Sequence, residues 1–216
     1  MKIYLIPGLG ADKRMYQHQF NIFPDAEVIE HFYPGKHETM ATYARRMAEK
    51  MDTSSPFVLI GTSLGGIVSM EMSRFLKPEK IILMASVKTR DEMPLFIRSM
   101  KYLKLHRIIS GHRFKKFNTL MVKRLDSRRD SEAAEILRAM TADVSPEFIE
   151  WAVNAVVHWT PLKDYRSDII HLHGTNDQLF PISKIKNAIP VEGGSHVMNM
   201  TKSAEVNRLL LESLKF

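Results

Sequence analysis

The sequence predicts an α/β fold, with an open, mostly parallel sheet of about six strands, helices on both faces and an inserted all-helical segment. Three observations predict this fold. Short apolar runs alternate with amphipathic helical patterns over residues 1–86, the strand signal disappears over residues 87–167, and the alternation resumes from residue 168. Such alternation predicts right-handed crossovers between parallel strands, with helices that cover both faces of the sheet.

The first part of the chain predicts two strands and two helices in alternation. Strands are predicted at residues 3–6 and 28–32, which are rich in β-forming residues. Tyr16, Phe20 and Phe23 lie between them at i, i+4 and i+7, and this spacing predicts a helix with one apolar stripe. A second and clearer helical stripe follows on six residues: Met40, Tyr43, Ala44, Met47, Ala48 and Met51.

The next strand, at residues 57–60, runs directly into a Gly-x-Ser-x-Gly pentapeptide at residues 61–65. By composition alone, this pattern is expected in about one chain in fifteen of this length, so its context decides its meaning. Here it separates an apolar strand from a helical pattern. The glycines then let strand and helix approach closely through a sharp turn, which leaves Ser63 exposed at its tip. We interpret Ser63 as a nucleophile.

The second half of the chain interrupts the alternation and then resumes it. After a strand at 80–85, four helical segments are predicted, at residues 95–109, 114–125, 131–141 and 146–159. Ser145 and Pro146 are typical N-cap and first-turn residues for the last of these helices. The chain then predicts a strand at 169–173, a short helix, a strand at 189–191 and a final helix with an apolar stripe at Val206, Leu209, Leu210 and Leu214.

A serine hydroxyl is a weak nucleophile at neutral pH, so Ser63 requires a general base and an acid that orients the base. His196 follows two glycines after the strand at 189–191, which places it on a loop, and we interpret it as the base. Asp177 lies on the loop after the preceding strand and is the candidate acid. Because the carboxyl ends of parallel strands meet at one edge of a sheet, the three side chains are predicted to lie together.

The pentapeptide and the order Ser63, Asp177, His196 resemble the serine-type α/β-hydrolase fold family, in particular its small esterase-like and lipase-like members. The resemblance covers residues 1–86 and 168–216, which it implies to be the core. Residues 87–167 match the position of the family's helical lid.

The same resemblance implies an oxyanion hole formed by the backbone N–H groups of Leu9 and Leu64. The sequence departs from the family at two points. Pro7-Gly8 stands where many relatives have His-Gly, although the donor is a backbone group in both cases. The family's first two strands are also missing, so we expect about six strands rather than eight.

The composition is that of one globular domain. The chain has 216 residues, of which 44% are hydrophobic, and no cysteine, which excludes disulfides, thiolate catalysis and cysteine metal sites. Its apolar runs fall short of the roughly 18 residues that a membrane span requires. Pro7 and Gly8 interrupt the apolar start, so we interpret it as the first strand and not as a signal peptide. Cytoplasm is the default location.

The positive charge is concentrated in one segment. Residues 88–129 contain 13 of the 31 Lys and Arg residues but only three of the 24 acids, so this segment carries +10 and the remainder −3. Three interpretations stay open: a solvated helical face, attraction to an anionic substrate or to the surface of an anionic membrane, and nucleic-acid binding. Nothing in the segment resembles a nucleic-acid-binding module.

The leading hypothesis is a serine hydrolase that cleaves carboxylic esters or thioesters of a small-molecule acyl substrate, with amidase or lyase chemistry also open. No cofactor or metal is implied. His171 and His173 alternate along a strand and are interpreted as core or rim residues, because no carboxylate–histidine spacing supports a metal. Two alternatives remain: a ligand-binding or signalling protein with little turnover, and a peripheral binder of anionic surfaces. The sequence does not indicate an oligomeric state.

Overall fold

The computed structural model of the chain describes residues 1–103, 111, 113, 115, 131–162 and 168–215. Among these residues, six strands are present: β1 (Lys2–Ile6), β2 (Glu27–Val28), β3 (Phe57–Thr62), β4 (Lys80–Met84), β5 (Asp168–Gly174) and β6 (Ile189–Val191). The helices of the same residues are α1 (Met40–Ala48), α2 (Leu64–Met72), α3 (Leu95–Leu103), α4 (Ser131–Asp143), α5 (Pro146–His158), α6 (Met198–Thr201) and α7 (Ser203–Ser213). Two 3-10 turns lie at Lys13–Tyr16 and Ile182–Lys184.

The strands form one sheet in the order β2-β1-β3-β4-β5-β6, and every neighbouring pair is parallel. The pairing aligns the last residues of the central strands, since Ile6 pairs with Gly61 and Thr62 pairs with Met84. Met84 in turn pairs with Leu172, near the end of β5. The loops that follow β1, β3 and β5 therefore leave the sheet at the same edge, which is where the predicted site residues lie.

Helices cover both faces of this sheet and form two separate cores. On one face, α1, α2 and α5 pack against side chains of the central strands, including Tyr4, Ile6, Leu59, Ile81 and Leu83. On the other face, the turn at Lys13–Tyr16, α6 and α7 pack against the alternate residues, including Leu5, Val58, Ile60, Ile82 and Met84. All six residues of β3 are buried, as expected for a central parallel strand. The predicted six-stranded parallel sheet with helices on both faces is confirmed.

Two predicted elements were wrong in detail. The strand predicted at 28–32 ends at Val28, because the following side chains leave the sheet: the Phe32 ring packs 4.9 Å from the Tyr43 ring of α1. The helix predicted over Tyr16 to Phe23 is a 3-10 turn followed by hydrogen-bonded turns. The backbone N–H groups of Gln17 and Gln19 bond three residues back, to Arg14 and Tyr16, instead of four, and the Gln19 amide donates to the carbonyl of Asn199 in α6 at 3.0 Å.

The region between β4 and β5 is helical where it is described. Ser145 caps α5 as predicted, with its hydroxyl accepting the Phe148 N–H at 3.0 Å. The predicted helix at 95–109 is described only as α3, and the predicted helix at 114–125 and most of the basic segment lie outside the described residues. The division into a core and a lid at 87–167 stays a prediction. No helix among the described residues is long and apolar enough to span a membrane.

The turn from β3 into α2 depends on glycines with no room for a side chain. A Cβ at Gly65 would overlap the backbone carbonyl of Ile6, and one at Gly61 would overlap the carbonyl of Gly65. Backbone atoms of a packed sheet cannot move aside as a flexible side chain can. Strand and helix therefore approach as closely as the pentapeptide predicts.

Gly65→Ala is expected to lower the free energy of unfolding by at least about 3 kcal/mol, because the backbone must shift to admit the methyl group. This value is the upper end of the usual free-energy cost of an overpacked core. Urea unfolding of the purified variant measures this loss. Gly35→Ala is the matched control, since a Cβ there would meet nothing closer than the Glu38 carboxylate at 3.6 Å. Equal unfolding midpoints for the two variants would contradict the prediction.

Candidate active site

Ser63 lies at the turn between β3 and α2 with a strained backbone, at φ 52° and ψ −115°. A positive φ is costly for a residue other than glycine and persists only where its surroundings enforce it. Here the Ser63 N–H donates to the Met84 carbonyl at 2.9 Å, and the Ser63 carbonyl accepts the Ser86 hydroxyl at 2.7 Å. Both bonds come from β4 and the residues after it, so the neighbouring strand fixes the position of Ser63.

The structure brings the three predicted side chains together in one hydrogen-bonded row. His196 Nε2 lies 2.9 Å from Ser63 Oγ, and His196 Nδ1 lies 2.8 Å from Asp177 Oδ2. A carboxylate only accepts, so Nδ1 carries the imidazole proton and Nε2 presents its lone pair to the serine hydroxyl. This is the arrangement in which an imidazole accepts the proton of a serine hydroxyl.

The Asp177 carboxylate is buried and held by several donors. Its Oδ1 accepts the backbone N–H groups of Leu179 at 2.8 Å and Phe180 at 2.9 Å. Burial alone would raise the pKa of Asp177, but the charge of His196 and the hydrogen bonds from His173, His196 and Phe180 outweigh it and hold the pKa below its ordinary value. Asp177 is therefore ionised at neutral pH and favours a positive charge on the adjacent imidazole.

The loop after β1 passes directly beside Ser63. A Cβ at Gly8 would lie 3.3 Å from the Ser63 Cβ, so a larger residue there would crowd the serine. Leu9 follows in this loop, and Leu64 is the first residue of α2. Within the described chain, neither backbone N–H of these two leucines donates a hydrogen bond. The oxyanion hole at Leu9 and Leu64 stays a prediction.

The structure also places His31, which the sequence analysis missed, against this loop. Its Nε2–H donates to the Pro7 carbonyl at 2.8 Å, its Nδ1 lies 3.1 Å from the Tyr43 hydroxyl, and its ring packs 5.0 Å from the Phe148 ring. Burial lowers the pKa of His31 to about 4, so the ring is neutral at pH 7. No sequence signal points to it, because its partner is a backbone carbonyl in a distant loop.

His171 and His173 are buried in β5, as their interpretation as core residues requires. Burial, together with the neighbouring His173 and Lys88, lowers the pKa of His171 to about 3. No group of three or more potential metal-ligating side chains is present in the part of the chain that the structure describes.

The neutral histidines make stability depend on pH. His31 and His171 have folded-state pKa values of about 4 and about 3, below the ordinary value of 6.5, so the unfolded chain binds more protons than the folded one between about pH 4 and 6.5. The free energy of unfolding therefore falls as the pH falls through this window. We expect a loss of about 2 to 4 kcal/mol between pH 7 and 5.

Urea unfolding at pH 7, 6 and 5 measures this slope. His31→Gln removes one of the two titrating groups and keeps an N–H donor, so its slope is expected to be shallower than that of the wild type. Identical slopes in His31→Gln and the wild type would show that His31 is not responsible.

No protein-family model and no curated protein sequence matches this chain. Among solved structures, the chain is similar to a thermophilic esterase from Thermogutta terrifontis, with a TM-score of 0.80 and 18% identity over 99% of this chain and 89% of the esterase. A hydrolase from Pseudomonas aeruginosa PA01 gives a TM-score of 0.76 and 15% identity over 100% and 90% of the two chains.

A third similar structure is MGS-M2, an α/β-hydrolase enzyme from a Medee basin deep-sea metagenome library. Its TM-score is 0.67, at 10% identity over 98% of this chain and 88% of that enzyme. Identities this low show the fold and nothing finer. The chain therefore has the α/β-hydrolase fold, as its sequence predicted.

Proposed function

We propose that this protein is a serine hydrolase that cleaves carboxylic esters or thioesters through an acyl-enzyme on Ser63. The observation that carries the proposal is the continuous row from Ser63 through His196 to Asp177, with hydrogen-bond distances of 2.9 and 2.8 Å. Such a row activates a serine hydroxyl, because the proton has an acceptor in place and the acceptor is held in the correct tautomer.

In the first step, Ser63 Oγ bonds to the acyl carbon of the substrate while His196 Nε2 takes the hydroxyl proton. The carbonyl π electrons move to oxygen and form a tetrahedral oxyanion. When the oxyanion collapses, the bond to the leaving alcohol or thiol breaks, and His196 returns the proton to that leaving group. Water then repeats the sequence on the acyl-enzyme, with His196 again as the base, and releases the carboxylic acid and Ser63.

Two groups of residues stabilise the charges that form during these steps. Asp177 is ionised and faces the proton on His196 Nδ1, so it stabilises the imidazolium without itself taking the proton. The backbone N–H groups of Leu9, in the loop beside Ser63, and of Leu64, next to Ser63 in the chain, would donate to the oxyanion. A preorganised donor of this kind typically contributes about 100- to 1000-fold in rate.

Gly10 and Ala11 of the loop after β1 line a cavity, and we propose that it holds a short acyl group. Its volume is about 250 Å³, just below the roughly 300 Å³ at which ligand pockets ordinarily begin. Its walls are partly apolar, with Phe32, Met140, Val144 and Phe148, and its acidic residues are Asp12, Glu30 and Asp143. Arg14 forms ion pairs with Asp12 and with Asp143, so the negative charge of the lining is partly neutralised. Neither this cavity nor a larger groove of about 830 Å³ is lined by Ser63, Asp177 or His196, and the smaller cavity is the candidate because Gly10 and Ala11 of its lining follow Leu9 in the chain.

The test is labelling with a fluorophosphonate probe, followed by mass mapping of the modified peptide. We expect one adduct, on Ser63, together with hydrolysis of p-nitrophenyl esters that is fastest for short acyl chains. Absence of labelling and of turnover with every ester and thioester would contradict the proposal and favour the ligand-binding alternative. Faster turnover of esters with long acyl chains would agree with a hydrolase but contradict the proposal that the acyl group is short.

A further inference from the structure

Two buried histidines extend the catalytic row into the core of the protein. His171 and His173 are neighbours on one face of β5, since side chains two residues apart on a strand point the same way. Their rings are 1% and 0% exposed. His171 Nε2 lies 3.2 Å from His173 Nδ1, and His173 Nε2 lies 3.4 Å from Asp177 Oδ2. The proposed mechanism uses neither ring, yet they adjoin its acid.

The partners of His173 determine which of its nitrogens carries the proton. Nε2 lies 2.7 Å from the Phe180 carbonyl, which only accepts, so Nε2 is protonated. A neutral His173 then accepts the His171 Nε2–H at its Nδ1. His171 Nδ1 is buried and makes no hydrogen bond of ordinary geometry among the described residues, although the Ser86 backbone acts to raise the pKa of His171. The reverse arrangement would place a buried imidazolium at His173, whereas this one keeps both rings neutral.

The His173 N–H acts on both residues that orient His196. It reaches the Asp177 carboxylate, which bonds to His196 Nδ1, and it binds the carbonyl of Phe180. The Phe180 ring in turn packs edge-on against the His196 ring, with centroids 5.5 Å apart and planes at 66°. One donor therefore fixes the loop that presents both the acid and an aromatic wall to the imidazole.

We propose that His173 is a positioning residue for this site, holding the Asp177 carboxylate and the Phe180 carbonyl, and that His171 fixes the tautomer of His173. The inference rests on the proposed function, because it assigns the effect of His173 to catalysis through His196. His173 touches neither the substrate nor Ser63. Its removal should slow the chemical step without changing substrate binding.

Three substitutions at His173 separate positioning from mere packing. His173→Gln places an amide N–H near the position of Nε2, whereas His173→Asn is equally polar but too short to reach the Phe180 carbonyl, and His173→Leu has no donor. We expect kcat to fall about 10- to 100-fold in the Asn and Leu variants, with KM unchanged, because small displacements of reacting groups have effects of this size. The Gln variant should recover most of kcat. His158→Gln, on the surface, is the control.

The proton NMR resonance of His196 Nδ1–H, which bonds to Asp177 at 2.8 Å, supplies a readout that does not depend on turnover. It should move upfield in His173→Asn and His173→Leu, because the hydrogen bond to a displaced carboxylate weakens, and should return in His173→Gln. The ¹⁵N shifts of His173 should show protonated Nε2 and unprotonated Nδ1 in the wild type.

The outcomes distinguish the two proposals. A wild-type protein without esterase activity would contradict the hydrolase. An unchanged His196 Nδ1–H resonance in His173→Asn, with the protein folded, would overturn the positioning role whatever the activity. Equal kcat values in the Gln and Asn variants would overturn the positioning role as well. If His173→Leu does not fold, the comparison of the Gln and Asn variants still tests the proposal. Protonated Nδ1 on His173 would overturn the role of His171.

Discussion

Ser63→Ala is expected to lower kcat for the best ester substrate by about a million-fold, the size of effect known for loss of the serine in a comparable catalytic unit. Without Oγ there is no covalent acyl-enzyme, and His196 has no hydroxyl to deprotonate. The remaining rate would come from the backbone donors of Leu9 and Leu64 and from substrate binding alone. KM should change little, because the serine hydroxyl contributes little to binding of the unreacted ester.

Initial-rate kinetics with a short-chain p-nitrophenyl ester measure the loss, and the fluorophosphonate adduct should disappear in the same variant. Ser99→Ala is the matched control, because the Ser99 hydroxyl bonds only locally to the Phe96 carbonyl in α3. If Ser63→Ala retained more than about a hundredth of the wild-type kcat, Ser63 would not be the nucleophile, since the smallest loss expected for a catalytic serine is far larger.

The sheet could be predicted from the sequence because its signals are local. β3 is buried along its whole length, so its residues form a continuous apolar run that ends at the glycine turn. The errors have the opposite cause. Phe32 leaves the sheet and packs against Tyr43 of α1, and Gln19, in the segment that was predicted as a helix, bonds to Asn199 of α6. Neither partner is adjacent in the chain, so periodicity alone does not predict the contact.

The candidate site was predictable to the extent that it follows from the sheet. Ser63 and Asp177 each follow a parallel strand whose register aligns the strand ends, and His196 follows the edge strand β6. The residues that support the site were not predictable. His31 and His173 form hydrogen bonds with the backbone carbonyls of Pro7 and Phe180. Every residue type has a backbone carbonyl, so the sequence contains no signal for these contacts.

Asp177→Asn is expected to lower kcat by about ten thousand-fold while the fold stays intact. The asparagine carbonyl oxygen would still accept the N–H groups of Leu179 and Phe180, so its NH₂ group would face His196 Nδ1. Two donors cannot share a hydrogen bond, so the imidazole would move its proton to Nε2. That nitrogen would then point an N–H at Ser63 Oγ and could not accept the serine proton.

Steady-state kinetics and the rate of fluorophosphonate labelling should fall together, and Asp25→Asn at an exposed position should change neither. A loss of less than tenfold in Asp177→Asn would show that the carboxylate does not set the tautomer.

The double variant Ser63→Ala, Asp177→Asn adds a further requirement. If the three residues act as one unit, Asp177 has no function once the nucleophile is gone, and the double variant should be no slower than Ser63→Ala alone. Additive losses would instead mean that Asp177 acts independently of proton transfer from Ser63.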